Sequence, residues 1–132
     1  STGEMEEVVG GHPAVAECAV IGIHDDLKGQ LPVGLVIPKD GYREAPETLE
    51  AELIARVREK IGPIACFKQV IVVDRLPKTR SGKILRKLLR NLADGQEVGI
   101  PSTIDDPTSV DDVHRAMCEH QVGSANKAPP VI

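Results

Sequence analysis

The run Pro77-Lys78-Thr79-Arg80-Ser81-Gly82-Lys83 sets a lysine directly after a glycine in a stretch of concentrated positive charge. Between Arg75 and Arg90 there are seven Lys or Arg and no acid, in a chain whose formal net charge is −4. Lys83 is therefore the first residue to examine for chemistry. A Walker A loop needs Gly five residues before its Gly-Lys pair and Ser or Thr after the lysine; those positions hold Pro77 and Ile84, so this is not a P-loop. Ser81 and Lys83 form a conceivable Ser–Lys nucleophilic pair, but no neighbouring feature supplies an oxyanion hole or a dry pocket. A third reading is a solvated basic helix face. Charge patterning alone leaves a reactive lysine and a solvated face both open.

The elements that must position Lys83 read as follows. Val70-Ile71-Val72-Val73 is a short β-branched run, as expected of a buried strand. Beyond the loop, Ile84, Leu85, Leu88, Leu89 and Leu92 recur at helical spacing, with Arg86, Lys87 and Arg90 on the other side. Ser81 is the expected N-cap, which puts Gly82 and Lys83 in the first helical turn. A helix N-terminus carries partial positive charge and unpaired N–H groups, so this placement suits a phosphate or carboxylate.

Upstream, a short helix is expected from Glu4 to Val9, ended by Gly10-Gly11, followed by strands over Cys18 to Ile23 and Val33 to Ile37. The link between these strands holds Asp25, Asp26 and Gly29 and is short enough to favour an antiparallel pair. Asp25 and Asp26 read as turn residues rather than a catalytic acid pair. After Pro46 comes a helix with Leu49, Leu53, Ile54, Val57 and Ile61 on one face, stopped by Gly62-Pro63. Arg58 lies nine helical steps of about 100° from Leu49, so it points away from that face. The order helix, two strands, helix, strand, helix makes the chain α+β: a small, largely antiparallel sheet with helices packed on it. Residues 1–95 form the expected core. Residues 96–132 form an acidic, partly flexible tail, with a short helix near Val110 to Glu119 and mobility expected in the last ten residues.

Composition narrows the class further. With 132 residues, 41% of them hydrophobic and 27% charged, one core and a soluble globular protein are expected. The chain begins Ser1-Thr2-Gly3 and shows no signal peptide and no apolar run long enough for a bilayer, so it reads as a piece of a larger soluble protein with no membrane role. Cys18, Cys66 and Cys118 are few, odd in number and far apart, which argues against a disulfide framework. Cys18 falls in an apolar run and is expected to be buried. His114 and Cys118 share an i, i+4 spacing, but with no third ligand nearby no metal is expected in this chain. Tyr42 and Phe67 are the only aromatic residues, too few for base stacking, so nucleic acid is not expected as a partner.

The stretch PKTRSGKILRK resembles the C-terminal signature of the adenylate-forming acyl-CoA synthetases, in which the last lysine of PKTRSGK, here Lys83, is the catalytic lysine of adenylation. The segments from His12 to Gly22, from Asp26 to Gln30 and from Arg58 to Pro63 resemble the short-chain branch, which activates acetate or propionate. The match covers about residues 1–95. The segment from Pro101 to Pro107 is similar to the tail of propionyl-CoA synthetases rather than acetyl-CoA synthetases.

The resemblance implies a mobile C-terminal domain that supplies Lys83 to adenylation and then presents another face to thioester formation. There Arg58 contacts the phosphates of the CoA nucleotide. It implies ATP, CoA and Mg as cofactors, with ATP and Mg bound mainly by a large N-terminal domain of the same enzyme, the principal partner, and a small carboxylate as substrate. Alone, the fragment is expected to be inactive. Lys83 is implied as a modification site, switched by a lysine acyltransferase and a deacylase. The compartment implied is the cytoplasm in a bacterium or the mitochondrial matrix in a eukaryote. The alternatives are the corresponding domain of an acetate–CoA ligase, and a non-catalytic module whose basic helix docks on an acidic partner.

Overall fold

In the computed structural model the central residues of each strand are buried on both faces of the sheet. The structure describes residues 1–127 and Pro129; the mobility expected of the last ten residues falls in part on positions outside these. The chain forms two compact units, residues 1–72 and 73–132.

In the first unit, α1 (Thr2–Gly10) starts at Ser1, whose Oγ accepts from the Glu4 N–H at 3.3 Å. Strands β1 (Val15–Asp25) and β2 (Gly29–Pro38) pair antiparallel from Val15 opposite Pro38 to Asp25 opposite Gly29. Their turn is closed by the Asp25 carboxylate, which accepts from the backbone N–H of Leu27 at 3.2 Å and of Lys28 at 2.8 Å. Asp25 is thus a turn-former, as expected, and exposed Asp26 pairs with His24 at 2.8 Å.

Helix α2 (Pro46–Lys60) opens on a proline, with extended Ala45 before it, and ends where Gly62 takes φ 113 ahead of Pro63. Leu49, Leu53 and Val57, spaced by four, are fully buried. They pack with Met5 and Val9 of α1, Val20 of β1, Val36 of β2 and Phe67 into one core. Each such side chain contributes roughly 1.5–3 kcal/mol by leaving water.

Strand β3 (Gln69–Val72) joins the free edge of β2, giving the order β1-β2-β3, and pairs parallel, Gly34 opposite Val70. The sheet is therefore mixed: the long ladder is antiparallel and the short one parallel, because α2 carries the chain back to the end from which β2 started. The α+β class holds. On the other face of the sheet Ala19, Ile21, Ile23, Leu35 and Ile71 are buried too. Cys18, expected to be buried, is half-buried, with its thiol donating to the Glu6 carbonyl at 3.6 Å.

The second unit holds α3 (Arg86–Ala93) and α4 (Thr108–Glu119). Helix α3 buries Leu88, Leu89 and Leu92; α4 buries Val110, Val113 and Met117. Helix α4 begins two residues before the expected start. His114 is bonded through Nε2 to the Ala125 carbonyl at 2.8 Å, a structural contact. Among the described residues no three His, Cys, Asp or Glu converge as metal ligands, and no helix is long and apolar enough to cross a membrane.

Candidate active site

Lys83 does not lie in a helical first turn, which corrects the reading of Ser81 as an N-cap. Residues 78–84 form a tight hairpin instead, with Lys78 paired antiparallel to Ile84. The Thr79 N–H donates to the Lys83 carbonyl at 2.8 Å, the Gly82 N–H to the Thr79 carbonyl at 2.8 Å, and the Leu85 N–H to the Pro77 carbonyl at 2.9 Å. Gly82 turns the chain with φ +92, a conformation that L side chains rarely adopt and that a helix cannot use. The helix begins only at Arg86, after Leu85 and without a side-chain cap. The Ser81 hydroxyl lies 2.9 Å from the Thr79 hydroxyl rather than on a helix N–H.

Both backbone groups of Lys83 are spoken for by one residue. Its N–H donates to Thr79 Oγ1 at 3.1 Å, and its carbonyl accepts from the Thr79 N–H. The side chain is exposed, and among the described residues no carboxylate pairs with its ammonium. Lys83 also borders a groove of about 670 Å³ whose walls include Leu85, Leu88, Asn91, Val98 and Pro101. An exposed cation on a restrained backbone beside a mainly apolar groove can pair with an anion.

On its other edge Thr79 pairs antiparallel with Ile104. The Arg80 N–H donates to the Thr103 carbonyl at 3.0 Å, its guanidinium to the Ser102 carbonyl at 2.8 Å, and the Asp105 N–H to the Lys78 carbonyl at 2.9 Å. Behind this, the Arg75 fork donates to Asp106, to Thr108 Oγ1 at 2.7 Å and to Asp112 at 2.6 and 3.1 Å. Hydrogen bonds from the Thr108 hydroxyl and N–H, and then from Arg75, hold the Asp106 carboxyl below its ordinary value. Hydrogen bonds to Asp112 and Asp106 push the Arg75 guanidinium further up. So the basic run is not a uniform solvated face: Arg75 and Arg80 are committed to the segment that follows α3. Neither Thr79 nor Arg75 stood out in the sequence, since a threonine in a motif and an arginine in a basic run look generic until the pairing is known.

Arg58 is exposed near the end of α2, on the side opposite Leu49, as the helical spacing requires. It borders a shallow recess with Gly62, Pro63, Cys66, Phe67 and Lys68, and no described carboxylate pairs with it. Arg56, two residues earlier, is instead tied to the Val8 carbonyl at 3.0 Å. Arg58 belongs to the unit of residues 1–72 and Lys83 to that of residues 73–132.

Comparison with known proteins gives these observations a context. Residues 4–83 match the AMP-binding enzyme C-terminal domain family. The chain is 56% identical over 106 residues to the acyl-CoA synthetase short-chain family member B, mitochondrial, of Dictyostelium discoideum, covering 80% of this chain and 15% of that protein. It is 47% identical over 118 residues to the acetyl-coenzyme A synthetase of Pyrobaculum aerophilum, covering 89% of this chain and 18% of that protein. It is 43% identical over 122 residues to the propionate–CoA ligase of Escherichia coli, covering 89% and 19%. The crystal structure of a Brucella canis acyl-CoA synthetase superposes with a TM-score of 0.61 at 38% identity, over 68% of this chain and 16% of that one. The chain thus spans less than a fifth of the length of these relatives. With a family match that runs from α1 to Lys83 and covers more than half of its residues, the chain belongs to the AMP-binding enzyme C-terminal domain family.

Proposed function

We propose that this chain is the C-terminal mobile domain of an ATP-dependent short-chain acyl-CoA synthetase that forms propionyl-CoA through an acyl-adenylate. The observation that carries this reading is Lys83: an exposed ammonium without a carboxylate partner among the described residues, on a hairpin that fixes both of its backbone groups. In the first half-reaction a carboxylate oxygen attacks the α-phosphorus of ATP, and pyrophosphate leaves with the electrons of the broken P–O bond. Two anions must approach each other, and a lysine cation held between them offsets the repulsion as charge builds. Lys83 therefore acts as a cation and not as a base. In the second half-reaction the CoA sulfur attacks the acyl carbonyl and AMP leaves, while Arg58 holds the CoA phosphates through two N–H donors.

In this reading residues 1–95 supply Arg58 and Lys83, and residues 96–132, expected from the sequence as an acidic tail, add the segment that pairs with the Lys83 hairpin. A large N-terminal domain of the parent enzyme binds the acid, ATP and Mg. The domain alternates between two orientations, one for each half-reaction, each favoured by its own ligand. Acylation of Lys83 by a lysine acyltransferase removes the charge and stops adenylation, and a deacylase restores it. The parent works in the bacterial cytoplasm or the mitochondrial matrix. Propionate is supported by the segment from Pro101 to Pro107; acetate is the second reading, favoured by the 47% identity to an acetyl-coenzyme A synthetase.

The test uses the full-length parent with Lys83→Ala, assayed for adenylate formation from acid and ATP and for thioester formation from supplied propionyl-AMP and CoA. Adenylation should fall by at least about 100-fold, the size of loss seen when one transition-state charge contact is removed. Thioester formation should survive. Equal activity of variant and wild type in both assays would overturn the assignment.

A further inference from the structure

We propose that the segment from Pro101 to Asp112 is a clamp that positions Lys83 for adenylation, with Thr79 and Arg75 as its positioning residues; the proposal rests on the function given to Lys83 above. The connection runs through four links. Arg75 holds Asp106, Thr108 and Asp112. Asp106 continues directly from the strand-like residues Thr103, Ile104 and Asp105, which bind Lys78, Thr79 and Arg80. Thr79 is the middle member of this small ladder, with Ile104 on one side and the Lys83 arm of the hairpin on the other. Lys83 then receives its backbone placement from Thr79 at 3.1 Å through the side-chain oxygen and 2.8 Å through the main chain.

A two-residue bridge standing alone is a weak structure, since isolated hairpins are marginal in water. A third segment on its open edge and a buried anchor convert it into a fixed platform. Ile104 is that anchor, with 6% of its surface exposed. The Arg75 fork adds a planar set of donors to two carboxylates and one hydroxyl, a geometry that lysine cannot reproduce. The purpose of the fixation lies in the reaction. A side chain with four rotatable bonds reaches a developing charge productively only if its root does not move, and a 1 Å misplacement costs on the order of 100-fold in rate. The contacts leave the Lys83 side chain free and restrain its backbone, which is what such a root needs.

The prediction is specific to one half-reaction. In the full-length enzyme, Thr79→Val keeps the shape of the side chain and removes the acceptor for the Lys83 N–H. It should lower kcat of adenylation by about tenfold to 100-fold, with KM for ATP and acid unchanged and thioester formation from supplied acyl-adenylate intact. Thr79→Ser restores the acceptor and should return adenylation to within about twofold of wild type. Arg75→Met, which breaks the clamp at its far end, should reproduce the adenylation defect; if it does not fold, the Thr79 pair decides alone. Loss of both half-reactions together, full adenylation by Thr79→Val or by folded Arg75→Met, or failure of Thr79→Ser to restore it would overturn the clamp. Lys83→Ala run in parallel separates the two levels. If it abolishes adenylation while Thr79→Val does not, only the clamp is wrong; if it leaves adenylation intact, the reading of Lys83 falls and the clamp with it.

Discussion

Two arginines two positions apart on α2 show how much a single residue's setting decides. Arg56 spends its guanidinium on the Val8 carbonyl, whereas Arg58 points to solvent beside the Gly62-Pro63 turn. Removing the first should cost stability, and removing the second should cost binding. Arg58→Ala in the full-length enzyme is expected to raise KM for CoA by about tenfold or more, equivalent to ~1.4 kcal/mol, and to leave adenylation unchanged. With pantetheine, which lacks the nucleotide phosphates, variant and wild type should behave alike; a penalty of the same size with both thiols would remove Arg58 from the phosphate role. The outward direction of Arg58 was legible in the sequence, because counting helical steps from Leu49 needs only the period of the helix. The part played by Thr79 was not, because a hydroxyl becomes an acceptor for the Lys83 N–H only in a particular hairpin register.

At the scale of elements, apolar runs and turn residues located the strands and helices, and geometry across the chain supplied the rest. The β1–β2 hairpin follows from two β-branched runs joined by a short link with Asp25 and Gly29. The parallel placement of β3 does not follow from its own residues, since Val70, Ile71 and Val72 would suit either direction. It follows from the crossover through α2. Likewise the start of α3 is not legible in the sequence, because the periodicity of Ile84 and Leu85 continues smoothly into the helix, while Gly82 and the Thr79–Lys83 pairing keep the chain in a hairpin before Arg86. One packing detail offers a direct check. A Cβ on Gly34 would lie 2.9 Å from the end of the Phe67 ring and 3.3 Å from Val70, so β2 needs a glycine where β3 and Phe67 close over it. Gly34→Ala should destabilise the fold by about 1–3 kcal/mol through overpacking, read from chemical denaturation. Combining it with Phe67→Leu should recover part of the loss, and strict additivity of the two changes would refute the contact.

At the scale of the whole molecule, Lys83 stands as an exposed cation on a restrained backbone beside an open groove. A lysine in bulk water does little for two approaching anions, because the solvent dielectric reduces a contact at about 4 Å to roughly 1 kcal/mol. The 132-residue chain alone, supplied with propionate, ATP and Mg, is therefore expected to release no pyrophosphate above background. Sustained release that disappears in Lys83→Ala would show that these residues suffice. The ladder around Thr79 also has a history during folding. Its inner partner lies four residues away along the chain and its outer partner, Ile104, about twenty-five. The near pairing can form within microseconds, while the far one waits for a longer loop to close and, during synthesis, for later residues to be made. Until Ile104 is in place the Thr79–Lys83 pairing lacks its outer partner, and a hairpin so isolated is marginal in water. Lys83 is therefore expected to sit on a looser backbone in a chain that ends before Ile104 than in the finished protein.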